Sequence, residues 1–239
     1  MALVIIFQKT LREIMQDLRY FKNNITLILS KDRLDTYNSL EQYKENLKLI
    51  ASITPKISNL EIYLRNALDY CLTQIKGSDW VFKSNNQDIK KAISRFEKEK
   101  LKYPSKNDIL SRLTLGTIVS LIITNHLQFP ILSLKNMDFK QYYNGNTNKI
   151  RIGFNRSKIS NVLKSKITLN LLRNIRNRAY HWENLLKTKH DTPNITNEID
   201  GVIVGIMPNK ITLFLNDLIK SVGNKDLEKL SEFGCQSTL

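Results

Sequence analysis

From Asn59 to Ile75 the apolar side chains Leu60, Tyr63, Leu64, Ala67, Leu68, Cys71, Leu72 and Ile75 recur at intervals of three and four. That spacing lays one continuous stripe along a helix, and the stripe must be buried against other elements. The same period returns more weakly over Asp88–Leu101, through Ile89, Ala92, Ile93 and Phe96. It returns again over Ile109–Leu127, where Gly116 interrupts a long apolar helix and Phe129-Pro130 ends it. Thr168–Leu186 is amphipathic, and Ile211–Val222 closes on Gly223 as a C-cap.

Between these runs the chain is polar. Lys83–Gln87 and Tyr103–Asn107 read as turns. Gln141–Lys158 is the one long irregular segment; Asn144-Gly145 is a turn signal within it, and it has room for a short hairpin. Pro193 falls in a connector, Asp191–Asn197, beyond which Gly201–Ile206 fits a buried helix or a strand equally. These elements predict an all-α fold. Residues 1–190 form its main domain, and residues 191–239 form a C-terminal helical extension packed on the same domain.

The longest apolar runs, Leu3–Phe7 and Ile118–Ile123, fall far short of the ~20 residues a spanning helix needs. In MALVIIF the basic Lys9 and Arg12 follow the apolar run instead of preceding it, so Leu3–Phe7 reads as a buried segment. A cytoplasmic protein with no membrane partner is expected. Two cysteines, Cys71 and Cys235, make no disulfide framework, and three scattered histidines offer no zinc site, so no metal or cofactor is expected.

Charge narrows the partners. Lys and Arg number 37 against 22 Asp and Glu, a net +15. Residues 135–190 hold 13 basic and only 2 acidic side chains, so this stretch supplies most of the field. Such clustering is an electrostatic footprint for a phosphate backbone.

Inside it lies LLRNIRNRAYHWENLL, Leu171–Leu186. On a helix Asn174, Asn177, Arg178 and His181 share one side, while Arg173, Arg176, Tyr180 and Glu183 form a flank. A guanidinium presents a planar fork of donors to two phosphate oxygens, and an imidazole exchanges a proton near neutral pH. Together they suit metal-free RNA cleavage. His181 would take a proton from the 2′-hydroxyl or donate one to the leaving 5′-oxygen. Arg176 would offset transition-state charge, and Asn177 would orient a phosphate or the imidazole. DNA lacks the 2′-hydroxyl and resists this route. Arg176 and His181 lie ~140° apart on an ideal helix. A wrapping arginine, an irregular helix or a second copy of the chain would reconcile them.

The run Arg176-Asn177-Arg178-Ala179-Tyr180-His181-Trp182-Glu183 resembles the RNR..H.E signature of the Abi-like (abortive infection D/F) family of the HEPN superfamily. Leu29-Ser30-Lys31-Asp32-Arg33-Leu34 with Tyr37 is similar to its LS..RL..Y segment. Leu60–Leu68, LEIYLRNAL, followed by Trp80, is similar to its LE..LRNA helix, and Leu113-Thr114-Leu115-Gly116 with Leu121 to its L.FG.....L block. The blocks span Leu29–Glu183. Leu115 replaces the usual Phe, and Trp182 stands where a second His is common. The resemblance implies a HEPN-like helical bundle with additional helices, a homodimer that brings two such helices together, and metal-independent endoribonuclease activity. It also implies a role in phage defence or as a toxin, the latter with an antitoxin as a further partner.

The catalytic candidates are therefore Arg176, His181 and Asn177; the RNA-binding candidates are Arg173, Arg178, Lys149, Arg151 and Arg156; Glu183 and Tyr180 support them. For Arg176 the competing role is a salt bridge to Glu183, and for Arg65 an intrahelical pair with Glu61. His126 reads as a helix-end residue, His190 as a loop residue, and Trp80 and Trp182 as core or interface. Tyr142 and Tyr143 fit packing or stacking on unpaired bases. The competing function is a non-catalytic RNA-binding protein that partners a small non-coding RNA.

Overall fold

The structure, a computed structural model, describes residues 13–15, 17–99, 103–152 and 155–232. The expected buried segment Leu3–Phe7 and Cys235 lie outside them. Two single turns, α1 (Ile25–Ile28) and α2 (Lys31–Leu34), lead into α3 (Leu40–Lys76), the axis of the fold. Ser39 caps α3 by accepting from the Gln42 amide at 3.1 Å. Its stripe Ile50, Ile53, Ile57, Leu60, Leu64, Leu68 and Leu72 is buried throughout. Each such side chain contributes roughly 1.5–3 kcal/mol relative to exposure, enough to carry the helix through Pro55, which has no amide to donate. The sequence period from Asn59 thus marks only the second half of a 37-residue helix.

Around α3 pack α4 (Gln87–Lys98), α5 (Lys106–Ser111), α6 (Leu115–Thr124), α7 (Gln128–Ile131), α8 (Asn161–Tyr180), α9 (Ile211–Val222) and α10 (Lys225–Ser231). The apolar run expected over Ile109–Leu127 is two helices, broken at Arg112–Thr114. Gly116 lies within the second, and Thr114 caps it at the Thr117 amide. Phe129-Pro130 does not end that helix. The helix stops at Thr124, His126 turns left-handed at φ 55°, and Phe129-Pro130 belong to α7.

The fold is mainly helical but not purely α, because among the described residues three antiparallel two-stranded ribbons interrupt it. Strands β1 (Lys149–Ile152) and β2 (Asn155–Lys158) are the hairpin for which Gln141–Lys158 had room. The pair β3 (Thr188–Lys189) and β4 (Thr192–Pro193) is minimal. The third ribbon, β5 (Ile195–Ile199) and β6 (Val202–Ile206), turns at Asp200 (φ 52°) and Gly201 (φ 73°). Both turn residues need positive φ, as the type I′ hairpin does. Within Gly201–Ile206, Gly201 is the turn and Val202–Ile206 is strand, and the section after residue 190 opens on ribbons before its two helices.

This third ribbon packs on α8 and shares one continuous apolar core with α3 and α9. Buried Asn146 holds it, donating to the Phe139 and Gly205 carbonyls at 2.7 and 2.8 Å and accepting from the Gly205 amide at 2.8 Å. Gly205 has no room for a side chain, since a Cβ there would lie 2.7 Å from Pro193 Cγ. Tyr142 is buried edge-on to Phe214 and donates to Asp217 at 2.7 Å, so it packs rather than offering a stacking face. Among the described residues no helix is long and apolar enough to cross a membrane.

Candidate functional site

Helix α8 carries the sequence candidates, but its limits differ from those the period predicts. It begins at Asn161, where Ser160 accepts from the Leu163 amide at 3.2 Å. It ends at Tyr180 rather than running to Leu186. The Glu183 amide bonds back to the Arg178 carbonyl at 2.9 Å, and the Trp182 amide to Ala179 at 3.1 Å. This pair of bonds is the Schellman stop, with the left-handed position taken by Trp182 (φ 57°) in place of the usual glycine.

His181 is therefore not a member of the helix face. It is the C-cap residue, exposed to water, and its imidazole lines an open cleft of about 430 Å³. Arg178, Trp182, Glu183 and Lys187 form the same wall, while Ser30, Asp32, Arg33, Thr36 and Tyr37 come from the segment around α2. Two stretches about 150 residues apart in sequence thus meet. Asn46 of α3 fastens the junction: buried, it donates to the Tyr37 hydroxyl and the Glu183 carbonyl at 3.0 and 3.1 Å and accepts from the Leu185 amide at 2.8 Å. Asn184 donates to the Thr36 carbonyl at 2.6 Å and Arg33 to the Trp182 carbonyl at 2.7 Å. Burial pushes the Tyr37 hydroxyl above the usual phenol range, and neighbouring Tyr43 adds to this.

Arg176 faces elsewhere. Its Nε lies 3.1 Å from Glu61 Oε2 and its Nη2 3.5 Å from Glu61 Oε1, with the two side chains 25% and 18% exposed. The guanidinium also stacks on Tyr180, 4.7 Å from the ring centroid, and Nη1 lies 3.4 Å from Asn177 Oδ1. Burial, then the Glu61 carboxylate, pushes the Tyr180 hydroxyl upward. The two expected ion pairs are re-partnered. Glu61 bonds Arg176 rather than Arg65, and Glu183 sits 3.8 Å from Arg178 rather than on Arg176.

The structure thus brings His181, Arg178 and Glu183 into the cleft and sets Arg176 on Glu61, flanked by Asn177 and Tyr180, outside the cleft lining. Arg173 is half-buried, its stem passing Gly116. Lys149 is exposed on β1, and Arg151 and Arg156 are register partners on the same hairpin, which supplies none of the described cleft lining. Trp80 is core, donating from Nε1 to Asp69 at 2.8 Å, whereas Trp182 is neither core nor buried, at 52% exposure. His190 sits in the turn between β3 and β4. Glu61, Asn46, Asp32 and Lys187 are site residues that spacing alone does not reveal; the LE..LRNA block points towards Glu61 and the LS..RL..Y block towards Asp32, while Asn46 and Lys187 lie outside both.

Chemically the cleft offers one accessible imidazole, three cations (Arg33, Arg178, Lys187) and two carboxylates (Asp32, Glu183). Among the described residues no three His, Cys, Asp or Glu side chains gather as a metal site. Comparison of the chain with family models, with curated proteins and with solved structures found no match.

Proposed function

We propose that this chain is a metal-independent, HEPN-type endoribonuclease. The observation that carries this reading is the cleft lined by exposed His181 and by Arg178, both on the most basic stretch of the chain, together with Arg33 and Tyr37. An RNA strand drawn there by the field meets an imidazole able to move a proton and a guanidinium able to hold a phosphate. The 2′-oxygen bonds to phosphorus, the bond to the 5′-oxygen breaks, and a 2′,3′-cyclic phosphate and a 5′-hydroxyl result. His181 takes the 2′-hydroxyl proton or protonates the leaving oxygen. Arg178 offsets charge on the phosphorane, while Arg176, paired with Glu61 outside the cleft lining, would join it only by reaching past that carboxylate.

One imidazole cannot serve as base and acid in the same step. The second group is Asp32 or Glu183 in the cleft, or His181 of a second copy in the homodimer that the HEPN resemblance implies. Phage defence or toxicity is the biological setting proposed with this activity, in the cytoplasm and with RNA as partner.

The test is incubation of purified protein with single-stranded RNA in EDTA. Cleavage with cyclic or 3′-phosphate ends, lost in His181→Ala, supports the reading; RNA left intact at low salt across several substrates overturns it. The Glu61–Arg176 pair favours a second reading, RNA binding without cleavage, because Arg176 is already neutralised. Its mark is salt-dependent retention of RNA that survives His181→Ala, with no cleavage by either form.

A further inference from the structure

The two tryptophans have opposite surroundings. Trp80 is 3% exposed, whereas Trp182 stands 52% exposed on the cleft wall next to His181. A large ring left in water forgoes the burial that normally makes tryptophan worth placing. Its backbone is equally unusual. At φ 57° Trp182 occupies the left-handed region, which a bulky side chain rarely adopts.

That conformation is held from several directions. The Trp182 carbonyl accepts from Arg33 Nη1 at 2.7 Å, its amide closes the helix stop, and the next residues are fixed by Asn46 and Asn184. Strained backbone of this kind persists only where its surroundings over-determine it, and it collects at functional sites. Here the result is an indole about half exposed on a cleft that it shares with an imidazole and two arginines.

We propose that Trp182 is the stacking platform of a nucleobase subsite. The indole packs on an unpaired base of the nucleotide next to the phosphate held by Arg178 and His181. This rests on the ribonuclease reading and extends it to substrate class: single-stranded RNA is accepted and duplex is not, because paired bases have no free face to give.

The experiment uses the full chain and a short single-stranded RNA whose 2′-hydroxyls are methylated, so that it binds without being cut. Binding is expected to change the emission of exposed Trp182, whereas a duplex or an abasic strand of equal length leaves the emission unaltered. Trp182→Phe removes the response and retains Trp80 as an internal report on folding. Trp182→Ala weakens binding by roughly 5- to 150-fold, the range that loss of one base stack supports. Equal affinity of Trp182→Ala and wild type, with wild-type emission unchanged on binding, overturns the platform while leaving cleavage at His181 intact. Absence of both binding and cleavage by the wild type overturns the ribonuclease reading and the platform with it.

Discussion

Glu61 of α3 meets Arg176 of α8 with Oε2 3.1 Å from Nε, and both side chains are largely shielded from water. The pair fixes the direction of Arg176 and occupies two of its five N–H donors. Glu61→Gln removes the charge while keeping the shape, and it should lower the rate constant for RNA cleavage with little change in RNA affinity. Arg178→Ala should instead weaken binding first, because Arg178 faces the cleft. Single-turnover kinetics with both variants separates the two roles; equal loss of affinity in Glu61→Gln contradicts the assignment. Glu61→Ala should also cost about 1–3 kcal/mol in stability, less than a fully buried pair would.

His181→Ala should reduce cleavage at least 10²-fold, the usual contribution of a positioned acid or base. The side chain is exposed at the helix stop, so thermal stability should change by no more than ~0.5 kcal/mol. A large loss of stability would mean that the residue is structural.

Asn46→Ala removes three hydrogen bonds and strands the buried Leu185 amide. A loss of about 2–3 kcal/mol follows from leaving such groups unsatisfied. Because Asn46 ties Tyr37 to Glu183, cleavage should fall together with stability. Denaturant unfolding and activity measured on one preparation check both.

The Asp138 carboxyl accepts from Asn148 at 2.5 Å and from the Lys140 amide at 2.9 Å, and these bonds hold it below the usual carboxylate range. A carboxylate depressed in the folded state stabilises fully above its unfolded value, near ~4, and loses that contribution as pH falls through the folded value. Asp138→Asn should therefore cost stability at neutral pH and flatten the acid limb of the stability curve. Unfolding midpoints followed down through pH 4 test this.

Gly205→Ala places a Cβ against Pro193 and forces the β6 ribbon or Pro193 to shift. Overpacking of this kind costs about 1–3 kcal/mol, read as a fall of about 2–4 °C in Tm per kcal/mol for a domain of this size. An unchanged Tm would mean that Pro193 moves freely.

Much of the helical framework is visible in the pattern of Leu and Ile residues, because a buried stripe must repeat with the helix. Pro55 hides the first half of α3, since a residue that cannot donate reads as an end, yet burial of Ile50, Ile53 and Ile57 outweighs it. The end of α8 is hidden for the opposite reason: Trp182 adopts a conformation that normally announces itself by glycine. Asp200-Gly201 is a readable hairpin signal, and it decides the strand at Val202–Ile206. The basic stretch and His181 stand out in the sequence. Their companions do not, because the pairing of Glu61 with Arg176 and the meeting of Arg33 with Trp182 span more than a hundred residues.

Ser160 joins hairpin β1–β2 directly to the start of α8, and His181 caps the other end. A helix of this length puts ~30 Å between the cationic ribbon and the imidazole. At ~3.4 Å per stacked nucleotide, a strand following α8 from one end to the other is about nine nucleotides long. On the proposed reading, an oligonucleotide much shorter than this reaches one end of the helix and leaves the other empty.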